Sequence, residues 1–433
     1  MRNPKTLLFA AGSVVLAAGV AFAFQDKGRE LSDKDLAKVS KAMGEYFQAR
    51  AENKDSISPL GEIHESIAGL EKKLSKARSQ NLLAFPDDLG RALWLSNDYG
   101  KKKVKKGKVD ELKYTERFYS KENPLNYVVA TPGKYNAAEA WPLIIAIPPV
   151  DQSPSQHVTE EWGAQELREG AIIAVPKMPA KAEEWMDRPG MAAVMSTLQQ
   201  VFENYAVDFD RVYLVGTGKG VELALSLAAM RPFAFAGVAG RRGDSGTVGP
   251  EAFGNLPVYL TGAGSQAQAF EEKAKGLGMT TVTLNATAEV ADIWTWMGEH
   301  PRNSYPNSIE FWPTVSLIRS NWLEIERGSA SEGAHLKAEI DKGSNTITIE
   351  GEGVPAVVLH LSDALVDLDR PVRIVANGAS KEVSPVRSLT RFLDMAYFAQ
   401  ADPGQIYVVS EQVDLPFRAV GGEKGEGEEG KKE

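Results

Sequence analysis

From about residue 116 onward, short apolar runs alternate with segments whose apolar residues recur every three or four positions. WPLIIAIPP, AIIAVPK, RVYLVG, FAFAGVAG, LPVYLTG and TTVTLNA read as strands. TEEWGAQELREG, PGMAAVMSTLQQVFENYAV, ADIWTWMGEH and the segments 221–230 and 266–277 read as helices, with Pro189 near the start of one. Such alternation predicts a mostly parallel sheet with helices on both faces. Ahead of it, TERFYS and LNYVVATP, separated by Lys121-Glu122-Asn123-Pro124, predict a β-hairpin.

The flanks follow other rules. Ser32-Asp33-Lys34-Asp35 opens a helix striped by Leu36, Val39, Met43 and Phe47. Ser58-Pro59 separates it from a second, striped by Ile63, Ile67, Leu70 and Leu74, so a helical hairpin is expected. A short third helix is expected over Asp87–Leu95. Beyond about Glu326 the period becomes two, in HLKAEID, NTITIEGE, AVVLHLSD and PVRIVANG. One helix, VRSLTRFLDMAYFAQ, and the run QIYVVSEQVDLP complete a β-rich module. The stretch GGEKGEGEEGKKE holds no apolar residue and is expected to be disordered. The expected plan is a leader over 1–23, a helical region over 24–100, the α/β domain over 115–327, the β-rich module over 334–416 and a charged tail over 417–433.

The leader carries Arg2 and Lys5, then TLLFAAGSVVLAAGVAFA, ending in Ala21-Phe22-Ala23. This is the pattern of a secretory signal peptide; an uncleaved membrane anchor is the alternative, and the only membrane contact expected. Either places the protein outside the cytoplasm, secreted or periplasmic. The chain has no cysteine, which excludes thiolate metal sites, cysteine nucleophiles and a lipoprotein anchor. A net charge of −9 argues against generic nucleic-acid binding. The basic run KKKVKKGK at 101–108 reads either as a contact for an anionic partner or as a solvated linker. The five histidines show no metal-ligand spacing, and DALVDLD at 363–369 lacks the glycine and final glutamate of a calcium loop. No cofactor is expected.

Candidate chemistry centres on RVYLVGTGKGVELALSLAAM, where a strand enters a glycine-dense turn and a helix leaves it. The stretch VDFDRVYLVGTGKGVELALSLAAMRPFAFAGVAG resembles the core of secreted α/β-hydrolase-fold esterases, related to feruloyl esterases, polyhydroxyalkanoate depolymerases and bacterial carboxylesterases. That resemblance covers about residues 115–325 and implies the α/β-hydrolase fold. It also implies a nucleophilic serine in G-x-S-x-G, but here the pattern is Gly216-Thr217-Gly218-Lys219-Gly220. By the same resemblance an oxyanion donor should follow PLIIAI, where Pro148-Pro149 stands without an N–H. The acid should follow LPVYLTG, and no carboxylate stands at 263–266. The histidine should lie within TLNATAEVADIW, which has none; His300, beyond it, reads as a helix C-cap.

The expectation is an exported, catalytically degenerate hydrolase fold that binds or scaffolds in the cell envelope. Gly216, Thr217, Gly218, Lys219 and Gly220 would form an anion-favouring turn at a helix N-terminus, unless Glu222 pairs with Lys219. The expected ligand is a small acyl, carboxylate or carbohydrate molecule, and the N-terminal helices offer a surface for a protein partner. Trp185 and Arg188 read as a rim to the site, or Trp185 as packing. Two rivals remain. One is an active serine esterase with displaced residues, drawing on Ser153, Ser155, Ser265 and His157. The other is a dinucleotide loop at Gly216, Gly218 and Gly220, with Arg241-Arg242 toward a phosphate; Val221 breaks its fingerprint.

Overall fold

The computed structural model describes residues 28–74, 80–262, 264–314 and 317–421. The leader at 1–23 and residues 422–433 of the charged tail lie outside them. The first helix, α1 (Asp33–Ala51), is opened by a capping box: Ser32 accepts from the Asp35 N–H, and the Asp35 carboxylate accepts from the Ser32 N–H. The helices α2 (Ile57–Glu71) and α3 (Pro86–Ser96) follow. Ser58-Pro59, expected between helices, lies in the first turn of α2, where a proline forfeits no intrahelical hydrogen bond.

The central domain runs β1 (Val109–Tyr114), β2 (Leu125–Ala130), β3 (Trp141–Ile147), α4 (Pro154–Glu160), α5 (Gln165–Gly170), β4 (Ile172–Pro176), α6 (Arg188–Asn204), β5 (Val207–Thr217) and α7 (Gly220–Met230). It continues with β6 (Gly237–Arg241), β7 (Val258–Thr261), α8 (Ser265–Gly276), β8 (Val282–Asn285) and α9 (Val290–Glu299). These eight strands form one sheet in the order β1-β2-β4-β3-β5-β6-β7-β8. The β1–β2 and β2–β4 pairs are antiparallel and the rest parallel. On β3, Leu143, Ile145 and Ile147 face the core under α6, α7 and α8, while Ile144 and Ala146 face the core under α4, α5 and α9. Burial on both faces is why these strands read as unbroken apolar runs. The fold is the expected α/β-hydrolase-like one, a mostly parallel sheet with helices on both faces.

Three local expectations change. TERFYS is a loop: the hairpin forms between β1 and β2, with Val109 opposite Ala130 and Tyr114 opposite Leu125. As a half-exposed edge strand, VDELKY carries little apolar signal. TEEWGAQELREG is not one helix, because the chain breaks at 161–164 between α4 and α5. There a Cβ on Gly163 would lie 2.3 Å from the Thr159 carbonyl oxygen. After α9 the chain leaves the central sheet, so the strands at 308–324, expected within 115–327, join the C-terminal sheets.

Those sheets are built from β9 (Ser308–Phe311), β10 (Arg319–Ser320), β11 (Leu323–Glu324), β12 (His335–Asp341), β13 (Thr346–Glu352), β14 (Ala356–Leu361), β15 (Val372–Ala376) and β16 (Ala379–Val383). The helix α10 (Leu389–Phe398) and β17 (Val409–Asp414) complete the module. One sheet is ordered β10-β11-β14-β17, the other β16-β15-β13-β12-β9. A third apolar core joins both sheets and α10 to the N-terminal helices, through Leu36, Met43, Ile63, Leu89, Phe311 and Phe392 among others. The stripe of the helical region is therefore buried, except for Phe47, which is half-buried against the same core. Trp94 on α3 ties this unit to the central sheet by donating to the Val207 carbonyl at 3.0 Å. Among the described residues no helix is long and apolar enough to cross a membrane.

Candidate functional site

The turn between β5 and α7 is held by its glycines for different reasons. A Cβ on Gly216 would lie 2.3 Å from the Gly220 carbonyl oxygen, and one on Gly220 would lie 2.6 Å from that of Ile147. Both positions need glycine because backbone passes against them. Gly218, at the apex, has φ +58°, yet a Cβ there would meet only Pro149, at 3.8 Å. The Gly218 N–H donates to the Arg241 carbonyl at 2.9 Å, and the Val221 N–H donates to Gly218 O at 3.1 Å. The bend thus keeps its shape without a side chain at its tip.

Beside it a cleft of about 410 Å³ opens beyond the carboxyl ends of β3, β5 and β6, lined by Pro149, Gln152, Glu161, Thr217, Gly218 and Arg242. Crevices at that edge of an open α/β sheet are where such folds bind ligands. Of the five predicted residues, Thr217 and Gly218 line it. Gly216 and Gly220 are buried, and Lys219 is exposed at the head of α7. No ion pair among the described residues joins Lys219 to Glu222, whose side chain lies over Gly246. Thr217 is buried, and its Oγ1 has no hydrogen-bond partner among the described residues.

Sequence reasoning missed the charged floor of this cleft. Glu161, in the break between α4 and α5, pairs with both Arg241 and Arg242. Burial raises its carboxyl, but the two guanidiniums outweigh burial and hold it below its ordinary value. Arg241 is buried and also reaches Glu289, at 3.4 Å. Glu289 precedes α9, on the loop where the resemblance implies a histidine. The Arg241-Arg242 pair thus meets carboxylates of its own chain. No pattern in the sequence marked Glu161, since its neighbours read as one continuous helix.

The other candidates are occupied elsewhere. Trp185 is buried and donates to the Pro148 carbonyl at 2.7 Å, which fixes the Pro148-Pro149 turn; Arg188 is exposed at the start of α6. Ser153 caps α4, Ser155 donates to Glu111 at 2.7 Å, and Ser265 begins α8. His157 is buried, with Nδ1 2.7 Å from Gln152 Oε1, while Nε2 accepts from the Trp162 indole at 3.3 Å. Burial draws its pKa down to about 4, so the ring is neutral and both nitrogens are engaged. None of those three serine hydroxyls bonds to the ring among the described residues. His300 caps α9, its Nδ1 2.8 Å from the Trp296 carbonyl. Asp363 and Asp369 are taken by Arg387.

No family model matches the chain, and a search of curated proteins finds no match. Solved structures similar to it include a thermostable esterase, at 13% identity over 45% of this chain and 63% of that one, with a TM-score of 0.37. The chain thus spans less than two thirds of that esterase. An S-formylglutathione hydrolase from Agrobacterium tumefaciens is similar at 14% identity over 46% of this chain and 98% of its own, with a TM-score of 0.36. A ferulic acid esterase from Anaeromyces mucronatus is similar at 12% identity over 47% of this chain and 95% of its own, with a TM-score of 0.34. Each likeness spans less than half of this chain.

Proposed function

We propose that this is an exported α/β-hydrolase-like protein whose elbow cleft binds without catalysing, in a binding or scaffolding role in the cell envelope. The observation that carries the reading is Gly218: the bend is intact and has room for a side chain, yet none is present. The Arg241–Glu289 pair occupies the loop where a proton-accepting histidine would be needed. What remains is a polar cleft lined by Arg242, whose side chain is 58% exposed and pairs with Glu161, and by Thr217, whose hydroxyl has no hydrogen-bond partner among the described residues, with Lys219 exposed at the head of α7. These groups suit a small carboxylate, acyl or carbohydrate ligand.

The test is calorimetric titration of the full chain with a panel of short carboxylates and oligosaccharides. Binding to the wild type that is lost in Arg242→Ala is expected. A Gly218→Ser variant should fold and hydrolyse p-nitrophenyl acetate no faster than the wild type, since among the described residues no base stands beside position 218. Turnover gained by that variant over the wild type, or a fluorophosphonate adduct mapped to the loops after β3, β5, β6 or β8, would sink the reading. A second reading, ester hydrolysis by displaced residues, is favoured by one side-chain cluster far along the chain from the elbow.

A further inference from the structure

In the C-terminal module, His360 on β14 stands directly opposite Ser410 on β17, and β11 pairs along its other edge. His360 Nε2 lies 2.7 Å from Glu324 Oε2, and Nδ1 lies 3.0 Å from Ser410 Oγ. A carboxylate only accepts, so Nε2 carries the proton and Nδ1 is left to accept from the serine hydroxyl. Ser410 Oγ accepts in turn from Arg391 Nε on α10, whose Nη2 lies 3.4 Å from Nδ1. The imidazole is buried, while Ser410 is exposed. Water alone would satisfy an exposed serine on a strand. Here it is instead engaged by a buried imidazole, with a carboxylate behind the ring and a cation against the oxygen.

We propose that Ser410 is a nucleophile toward esters of small carboxylic acids, with His360 as its base and Glu324 as the group that orients the base. Hydroxyl, imidazole and carboxylate are connected as in acyl-transfer catalysis, except that the hydroxyl meets Nδ1 rather than Nε2. Ser410 Oγ bonds to the acyl carbon as its proton passes to His360 Nδ1, and the ester C–O bond breaks, the departing alkoxide taking that proton. Water then attacks the acyl-serine and gives a proton to Nδ1; the carboxylic acid leaves as Ser410 recovers it. Arg391 Nε donates to Ser410 Oγ and so favours that oxygen as it gives up its proton. The proposal gives residues to the esterase alternative and does not depend on the elbow, whose Gly218 it leaves unused.

Charged and titratable groups face His360 from each element around it: Glu324 from β11, Arg319 from β10, Arg391 from α10 and Tyr407 from the segment before β17. Burial lowers its pKa to about 4; Glu324 opposes the shift, and Arg319 and Arg391 add to it. Nδ1 is then free to accept across the neutral range.

The test is a fluorophosphonate probe on the full chain, with the adduct located by peptide mass spectrometry. With this probe the Oγ–P bond forms, fluoride leaves and the proton goes to His360. The expected result is an adduct on Ser410 that is absent in Ser410→Ala. Glu324→Gln and His360→Gln, each confirmed folded by circular dichroism, should label at least about tenfold more slowly. The rate should be flat between about pH 6 and 8 and fall below about pH 5. An unlabelled Ser410 in the folded wild type overturns the proposal, as does undiminished labelling in Glu324→Gln. An adduct at the elbow loops would instead count against the binding reading of the cleft, so the two failures are distinguishable.

Discussion

His157 and His360 share an environment that links folding to pH. Both are buried, and burial holds each pKa near 4, against an ordinary value of 6.5. The unfolded chain takes up a proton at each site as pH falls through about 6.5, and the folded chain does not until about 4. The stability each contributes is therefore whole above 6.5 and drains away between 6.5 and 4. The slope per site approaches about 1.4 kcal/mol per pH unit. Urea midpoints measured between pH 7 and about 5.5 should fall, and replacing either histidine with glutamine should remove about half of that slope. The window avoids Glu161 and Glu324, whose lowered pKa values place their losses at lower pH. A flat wild-type profile would mean that the rings are solvated or that they bond as cations.

The strand-to-helix bend separates two uses of glycine that the pattern GTGKG shows as equivalent. Alanine at 216 or 220 drives a Cβ into backbone oxygens, at 2.3 and 2.6 Å, which only a shift of β5, α7 or β3 can relieve. Alanine at 218 meets nothing closer than 3.8 Å and costs only its left-handed backbone, about 1–2 kcal/mol. Denaturant unfolding should rank Gly216→Ala and Gly220→Ala well below Gly218→Ala, with losses of about 3 kcal/mol or more. Equal losses at all three would show that the bend relaxes as a unit. The parallel strands were legible because burial on both faces leaves runs such as PLIIAI unbroken. β1 was not, because one row of VDELKY faces solvent, and the short α4–α5 pair was hidden by a continuous helical period. The vacant apex was plain in the sequence. The Glu161–Arg241–Glu289 cluster and the Ser410–His360–Glu324 relay were not, since each gathers residues from three separate elements and no spacing along the chain encodes them.

Across the whole molecule, the helical arm and the C-terminal sheets share one core while the central sheet keeps two of its own, so the junction between them governs cooperativity. Arg302, just past α9, is buried there. Its guanidinium grips both oxygens of Asp402, at 2.6 and 2.7 Å, and reaches Asp210 on β5 at 2.9 Å. It also donates to the Phe233 carbonyl at 3.2 Å, so a single side chain spans the sheet, the loop after α7 and the segment after α10. Deleting it leaves Asp402 buried without its counter-charge, which typically costs about 3–5 kcal/mol. Arg302→Leu should lower the unfolding midpoint accordingly and open the segment after α9 to proteases before the central sheet yields. Adding Asp402→Asn should restore part of the loss, because the uncompensated charge is then gone. If Arg302→Leu unfolds at the wild-type midpoint and its cleavage pattern is unchanged, the junction is held by apolar contact, and the two units are coupled through Trp94 and its surroundings instead.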